Sequence, residues 1–169
     1  ALLVHLTHLE LVRSAGEVPE LTDEGRASAL RVVRTHRLWE RYLADRTGVP
    51  AGEWHDHAER MEHALSPAEA DALARRLGHP RWDPHGDPIP TSRGEVPPHR
   101  GAALMRAAAG DALEILHLED EPRAIYDQLL AHGMAPGGRM EVVERTERGV
   151  RLRGHGREWS LDPVQARNV

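Results

Sequence analysis

The sequence predicts an α+β fold in which a helical domain is followed by a small β-barrel. Apolar residues recur at helical spacing through the first half of the chain, which favours amphipathic helices. Residues 79–100 are rich in Pro and Gly, which is typical of loops and linkers. The part that follows contains short apolar runs separated by turn residues, a pattern that favours strands. A domain boundary is therefore expected near Glu95 to His99.

Most of the predicted helices have a recognisable start or end. Thr22 is expected to be an N-cap, and Gly48-Val49-Pro50 ends the helix that follows it. Ser66 to Glu69 match a capping box with Pro at the first helical position. The predicted helices run from Leu2 to Leu11, from Asp23 to about Arg46, from Ala51 to Leu65 and from Pro67 to about Leu77, and an extended stretch ends at Leu21.

The chain beyond the linker is expected to form the barrel, with one inserted helix. Gly133 would close that helix, because Gly is favoured just after a helix ends. The helix is expected at Pro122–His132, and strands at Ala112–Leu118, Arg139–Glu144, Gly149–Leu152 and Arg157–Leu161.

The composition excludes several classes of protein. The 169 residues, with 40% apolar and 29% charged side chains, suit one globular domain or two small ones. No segment approaches the roughly 20 uninterrupted apolar residues that a bilayer crossing needs, and no secretory signal opens the chain. The lack of Cys excludes disulfides and thiolate metal sites and fits a cytoplasmic location. The formal charge of -5 argues against a strongly basic nucleic-acid surface.

Four polar side chains share one face of the third predicted helix. His55, Glu59, Glu62 and His63 stand at offsets of 0, +4, +7 and +8. At 100° per residue these offsets span roughly a quarter of the helix circumference. Two imidazoles and two carboxylates can therefore converge on one cation, beside the apolar stripe that begins at Trp54. The spacing predicts a metal site.

A second polar pair lies on the preceding helix. His36 and Glu40 are one turn apart and share their face with Val32, Val33 and Leu43. An ionised carboxylate in an apolar stripe costs several kcal/mol unless it is paired or coordinated. The combined set of three His and three Glu suits one or two octahedral ions, Mn²⁺ or Fe²⁺, with Zn²⁺, Co²⁺ or Ni²⁺ also able to bind in vitro.

Each cluster also has a simpler interpretation. Charged pairs four residues apart on a helix are usually solvated salt bridges. The two clusters, however, lie on consecutive helices that can pack antiparallel across the short turn 47–50, which favours the metal site. The acidic run 119–121 is either a solvated turn or the source of one further carboxylate. Four histidines outside the clusters are expected to have no function: His57, His79, His85 and His99.

Five stretches of sequence occur in an order found in one known family. Residues 21–26 are similar to the end of a winged-helix wing, 36–40 to a first ligand helix and 55–66 to a second. Residues 83–90 are similar to a loop that closes a dimerisation domain, and 100–169 to an SH3-like, FeoA-type domain. Together they resemble the DtxR/MntR (diphtheria toxin repressor-like) metal-dependent transcription regulators. The resemblance implies a winged-helix remnant (its last helix and wing) at 1–21, a helical metal-binding and dimerisation domain at 22–94 and an SH3-like domain at 98–169.

The resemblance also implies roles for the ligand set and a homodimer. His36, Glu59, Glu62 and His63 match primary-site ligands of the family, whereas Glu40 and His55 match the ancillary or second-ion site. The iron-sensing branch typically has Cys where this chain has Glu59, and Glu is similar to the manganese branch. Glu119 or Glu121 stands near where the SH3-like domain of iron-type members lends a ligand.

Two functions follow from this resemblance. In the first, the chain is the divalent-metal sensing module of a transcriptional regulator of metal homeostasis, a repressor that binds DNA through a winged helix largely absent from this chain. In the second, the module is a cytosolic regulatory domain attached to a metal-ion transporter permease. Ala1 to Leu11 has no Lys or Arg and carries Glu10, which disfavours direct reading of a major groove. An enzyme is not expected, because no His-Glu-x-x-His motif, nucleophile constellation or Walker-type loop occurs.

Overall fold

The computed structural model describes residues 2–15 and 18–169, and these form a helical half followed by a small antiparallel sheet, as the sequence predicted. Within these residues no helix is long and apolar enough to cross a membrane. The helices are α1 (Leu2–His8), α2 (Asp23–Arg46), α3 (Trp54–Met61), α4 (Pro67–Arg76) and α5 (Arg123–Ala131). The strands are β1 (Val12–Ala15), β2 (Val18–Leu21), β3 (Ala112–Glu114), β4 (Arg139–Thr146), β5 (Gly149–Gly154) and β6 (Arg157–Leu161).

The first helix is shorter than predicted. It ends at His8 rather than Leu11, because Glu10 adopts a positive φ of 57° that an α-helix does not allow. The extended stretch that follows contains β1 and β2, which pair antiparallel with Val12 opposite Leu21.

The long helix α2 has the predicted boundaries. The Thr22 hydroxyl accepts a hydrogen bond from the backbone N–H of Gly25, so the expected N-cap is present. Leu38 on this helix packs with Ala74 of α4 and Ile89 in a small core. The capping box of α4 is also confirmed, with Ser66 and Glu69 bonding to each other's backbone N–H groups.

The third helix is also shorter than predicted, and this changes the metal site. A short 3₁₀ turn at Ala51–Glu53 precedes this helix. The helix ends at Met61 rather than Leu65. Ser66 has an extended ψ of 159° before Pro67, because a residue that precedes Pro is disfavoured in the α region. Residues 62–65 form the turn between α3 and α4. His63 therefore lies outside the helix whose residue spacing predicted its role.

The sheet has the order β3-β4-β5-β6, and every pair is antiparallel. The predicted strand from Ala112 to Leu118 was too long, since β3 ends at Glu114. Beyond it, the N–H of Leu118 bonds to the carbonyl of His85 in the helical half, not to a strand. Residues 115–121 therefore cross from the sheet to the helices. The sheet packs against α5 around a core of Leu104, Ile115, Leu118, Tyr126, Leu129, Met134, Met140, Val142, Val150, Leu152, Leu161 and Ala166.

Candidate metal centre

The first donor cluster lies between α2 and α3. His36 and Glu40, one turn apart on α2, face His55 on the first turn of α3, and one ligand atom from each lies within 4.8 Å of the others. The two imidazole rings are 4.8 Å apart between centroids. The short connection after α2 brings the helices side by side, so two imidazoles and one carboxylate lie close together.

Glu40 is the centre of this arrangement. It is only 1% exposed. Its Oε1 lies 3.2 Å from His36 Nε2 and 3.8 Å from His55 Nδ1, whereas its Oε2 lies 3.6 Å from His85 Nδ1. Burial raises the pKa of the Glu40 carboxyl, but the hydrogen bonds and charges of His36 and His85 outweigh burial and hold that pKa at about 2. Glu40 is therefore an ionised carboxylate whose two oxygens point to two different sets of donors.

The second donor cluster uses the other oxygen of Glu40. Glu40, His85 and Asp120 offer ligand atoms that all lie within 4.8 Å of one another. His85 comes from the loop after α4 and is 2% exposed, and Asp120 comes from the segment that crosses from the sheet. Asp120 Oδ2 lies 3.9 Å from His85 Nδ1 and 2.9 Å from His55 Nδ1. Asp120 therefore lies beside both clusters.

The carboxylates raise the pKa values of the imidazoles that lie beside them. His36 faces a carboxylate on each side, with Nδ1 at 2.7 Å from Glu62 Oε2 and Nε2 near Glu40. Burial lowers the pKa of the His36 imidazole, but its bonds to Glu40 and Glu62 outweigh burial and raise the pKa to about 9. The pKa of His85 is raised in the same way, because Glu40, Asp83 and Asp120 outweigh its burial. A cation would take the place of the protons on these imidazoles.

Two buried nitrogens support the fit of a metal ion to these residues. His85 Nε2 and His55 Nδ1 are buried without a hydrogen-bond partner among the described residues. Asp120 Oδ2 lies 2.9 Å from His55 Nδ1 but does not form a hydrogen bond with it. Buried polar atoms without partners are rare and need an explanation. An open cavity of about 350 Å³ adjoins these donors, which is ample space for an ion with bound water.

The other predicted ligands are less closely gathered. Glu62, just after α3, reaches the cluster through His36. The side chain of Glu59 is 63% exposed, and its Oε1 lies 3.8 Å from His55 Nε2. The side chain of His63 is 74% exposed and lies 3.3 Å from Glu62 Oε1 on the outer side. Of the six predicted residues, His36, Glu40, His55 and Glu62 are brought together, Glu59 is at the edge, and His63 points away from the cluster.

Sequence reasoning did not single out His85, and in the acidic run it considered Glu119 and Glu121 rather than Asp120. His85 was expected to be a loop residue without function, yet it is buried against Glu40. In the acidic run, Asp120 rather than Glu119 joins the second cluster, and Glu121 reaches His55 Nε2 at 3.4 Å from an exposed position. A signal was present in the loop sequence, because a His between two Asp residues in a turn rich in Pro and Gly, Asp83 to Pro90, is a set of metal-ligand types held rigidly.

Comparison with known proteins identifies the family. Residues 22–91 match the family model described as iron dependent repressor, metal binding and dimerisation domain. The chain is 34% identical over 155 residues to the iron-dependent repressor IdeR of Mycobacterium tuberculosis, an alignment that covers 84% of this chain and 67% of that repressor. The chain belongs to the DtxR/MntR family of metal-dependent repressors. It spans about two thirds of the length of the IdeR relative.

Two further comparisons bear on the kind of family member. A solved structure of a manganese-dependent transcriptional repressor in complex with manganese has a TM-score of 0.86 and 32% identity, and the match covers 98% of this chain and 78% of that one. A probable metal transport system membrane protein of Chlamydia trachomatis is 44% identical over 70 residues, which are 41% of this chain and 16% of that protein. The likeness to repressors thus covers both halves of the chain, whereas the likeness to the transport protein covers less than half of it.

Proposed function

We propose that this chain is the metal-sensing and dimerisation part of a transcriptional regulator of metal homeostasis that responds to Mn²⁺ or Fe²⁺. The observation that carries the proposal is Glu40, a buried ionised carboxylate with one oxygen toward His36 and His55 and the other toward His85. A buried charge costs several kcal/mol unless it is paired or coordinated, and in the metal-free protein His36 and His85 supply the pairing. A divalent ion on each side would satisfy both oxygens.

The donor set supports a hard divalent ion. All candidate ligands carry nitrogen or oxygen, because the chain has no Cys, and such ligands in octahedral arrangements suit Mn²⁺ and Fe²⁺. Zn²⁺, Co²⁺ and Ni²⁺ are expected to bind in vitro as well, since the affinity of N/O sites rises toward the end of the first transition row. Glu59, where iron-type members typically carry Cys, favours Mn²⁺.

We assign the ligands to two ions. His36, His55 and one oxygen of Glu40 would hold the first, with Glu62, Glu59 and His63 as the further predicted ligands. Glu62 already contacts His36, whereas the exposed side chains of Glu59 and His63 would have to move toward the ion. Residues 62–65 lie outside any helix. His85, Asp120 and the other oxygen of Glu40 would hold the second.

A bound ion would supply positive charge that no longer depends on protons. His36 would then release the proton shared with Glu40 and Glu62, and the carboxylates of Glu40, Glu62 and Asp120 would be drawn together instead of repelling one another. These residues come from α2, the end of α3 and the segment leading out of the sheet, so their mutual arrangement depends on whether the ion is present. That dependence would shift the equilibrium between conformers by the difference in ion affinity.

The remaining parts of the proposal concern the regulator as a whole. We assign residues 1–21 to the end of a winged helix, 22–94 to the metal-binding and dimerisation domain, and 98–169 to an SH3-like domain. A homodimer agrees with the dimerisation domain that the family model describes. DNA would be bound through a complete winged helix and not through α1 and its hairpin alone. We expect the regulator to work in the cytoplasm.

The alternative of a domain attached to a metal transporter is not supported. The match to a transport protein covers 41% of this chain, whereas the match to IdeR covers 84% and that to a solved manganese-dependent repressor 98%. The family is one of transcriptional repressors, and we propose that the chain has no enzymatic activity.

Calorimetric titration with Mn²⁺, Fe²⁺ and Zn²⁺ tests the proposal. Glu40→Gln keeps the size of the side chain but removes its charge. We expect it to lower the affinity for both ions by more than about 100-fold, a larger loss than the one typical for outer-shell partners. Glu147→Gln, on the exposed turn between β4 and β5, is the matched control and should bind as the wild type does. Unchanged affinity in Glu40→Gln would overturn the assignment.

A further inference from the structure

Hydrogen bonds within the loop that carries His85 hold it in one conformation. The Asp83 carboxylate accepts hydrogen bonds from the N–H groups of His85, Gly86 and Asp87 at 2.9, 2.9 and 2.8 Å. The N–H of Asp83 donates in turn to the carbonyl of Asp87 at 2.9 Å. His85 is therefore presented to Glu40 by a closed turn rather than by a mobile connection.

The segment that leads to Asp120 lies directly on this turn. The N–H of Leu118 donates to the carbonyl of His85 at 2.9 Å. Gly86 has a φ of +100°, and a Cβ there would lie 2.0 Å from the carbonyl oxygen of Leu116, which is shorter than any non-bonded contact. The two backbones can touch only because residue 86 has no side chain.

Asp87 connects the same segment to the helix that carries the first cluster. Its Oδ2 lies 3.3 Å from His117 Nε2 on the crossing segment. Its Oδ1 accepts from Arg37 Nη2 of α2 at 3.2 Å, and Arg37 Nη1 donates to the carbonyl of Pro88 at 2.7 Å. One carboxylate thus bonds on one side to α2, next to His36, and on the other to the C-terminal half.

We infer that Gly86, Asp87 and His117 form a latch that holds Asp120 at the second ion site and so sets the affinity for the second ion. None of the three is within the donor clusters, so they are positioning residues. Asp120 follows His117 closely and has no regular secondary structure of its own, so its position depends on the docking of the crossing segment. This inference rests on the function proposed above.

The latch predicts an effect on one ion only. The three donors of the first cluster come from α2 and α3. Asp120 lies 2.9 Å from His55 but is not one of these donors, so the affinity for the first ion should be nearly unchanged when the latch is opened. The second ion loses Asp120 from its surroundings. Outer-shell partners of metal ligands typically change affinity by about 10- to 100-fold, and we expect a loss in this range for the second ion.

Four variants of the whole chain test the latch in Mn²⁺ titrations followed by electron paramagnetic resonance. His117→Ala removes the bond to Asp87, and His117→Gln restores a side-chain N–H that can donate to it. Gly86→Ala places a methyl group against Leu116. Gly110→Ala is its matched control, because Gly110 has a similar φ of +92° with no heavy atom within 4 Å of a Cβ.

Hydrogen exchange of the metal-free protein gives a second measurement that does not depend on ion binding. His117→Ala and Gly86→Ala should speed exchange of the Leu118 amide, which bonds to His85, while the Leu38 region of α2 keeps its protection. The same two variants should bind the second ion at least about tenfold more weakly and the first as the wild type does. His117→Gln and Gly110→Ala should stay within about threefold of the wild type for both ions, an interval well below that loss.

Three results would overturn the latch. The first is that His117→Ala and Gly86→Ala bind the second ion with wild-type affinity. The second is that these variants lose affinity for both ions equally and also lose hydrogen-exchange protection in α2, and the third is that the wild type binds only one ion. If the wild type binds no ion, the proposed function fails instead. In that case faster Leu118 exchange in the two variants would still show that these residues dock the segment, and unchanged exchange would overturn the docking as well.

Discussion

The two donor clusters on either side of Glu40 are built in different ways. The first takes His36 and His55 from two helices joined by a short connection, so local sequence spacing places its donors. The second takes His85 from a loop and Asp120 from the segment that crosses from β3 to α5. The difference teaches that one carboxylate can join a site defined by helix geometry to a site defined by the docking of two halves of the chain.

The largest expected effects come from the two cores that support the clusters. Leu38 is 1% exposed in the helical core and Leu118 is fully buried in the core beside the sheet. Leu38→Ala and Leu118→Ala should each lower the free energy of unfolding by about 2–5 kcal/mol, measured by urea denaturation. In the folded variants, Leu38→Ala should lower the affinity for both ions, because Leu38 lies between His36 and Glu40 on α2. Leu118→Ala should lower the affinity for the second ion only. Equal effects on both ions from Leu118→Ala would remove the distinction.

Direct loss of one donor should separate the clusters next. We expect His36→Ala to lower the affinity for the first ion by more than about 100-fold, and His85→Ala to lower the affinity for the second ion by as much. Direct ligands should contribute more to affinity than outer-shell partners do. Mn²⁺ titration monitored by calorimetry measures both. His8→Ala, at the exposed end of α1, is the control. If His85→Ala left two ions bound with unchanged affinity, the second cluster would not be a site.

A smaller effect is expected from α4, a helix that carries no donor. Ser66→Ala removes the capping box of α4 and should cost about 1 kcal/mol of stability. Because α4 contributes nothing to either cluster, Mn²⁺ affinity of the folded protein should not change. A shift in affinity together with the shift in the thermal midpoint would mean that the clusters depend on general stability more than on their own supports.

The smallest effect is the release of protons when an ion binds. The pKa of His36 is raised to about 9 in the metal-free protein, so its stabilising contribution is fully present below about pH 6.5 and is lost as the pH rises through about 9. At pH 7.5 an ion at the first cluster should displace about one proton from His36. Calorimetry in two buffers of different ionisation enthalpy counts the released protons, and His36→Ala should reduce the count. An equal count in the variant would contradict the protonation of His36.

Much of the helical half could be predicted from the sequence. The boundaries of α2 follow from the Thr22 cap and the Gly-Val-Pro stop, and α4 begins at its capping box. His36, Glu40 and His55 meet because helical spacing and a short connection determine where their side chains point. The prediction was wrong where a Pro-linked turn interfered, since α3 ends at Met61 and leaves His63 outside the helical spacing.

The second cluster could not be predicted in the same way. His85 is buried by contacts with Tyr126 and Trp54, which lie far from it in sequence. Asp120, rather than Glu119 or Glu121, faces the cluster because the Leu118 amide pairs with the His85 carbonyl. A short apolar run suggested a strand through Leu118, and this long-range hydrogen bond replaces the strand pairing.

Anomalous diffraction from crystals grown with Mn²⁺ tests most directly whether Glu40 joins two ion sites. We expect two anomalous peaks, one beside Glu40 Oε1 with His36 and His55, and one beside Glu40 Oε2 with His85 and Asp120. A single peak held by Glu59, Glu62 and His63 without Glu40 would contradict the account.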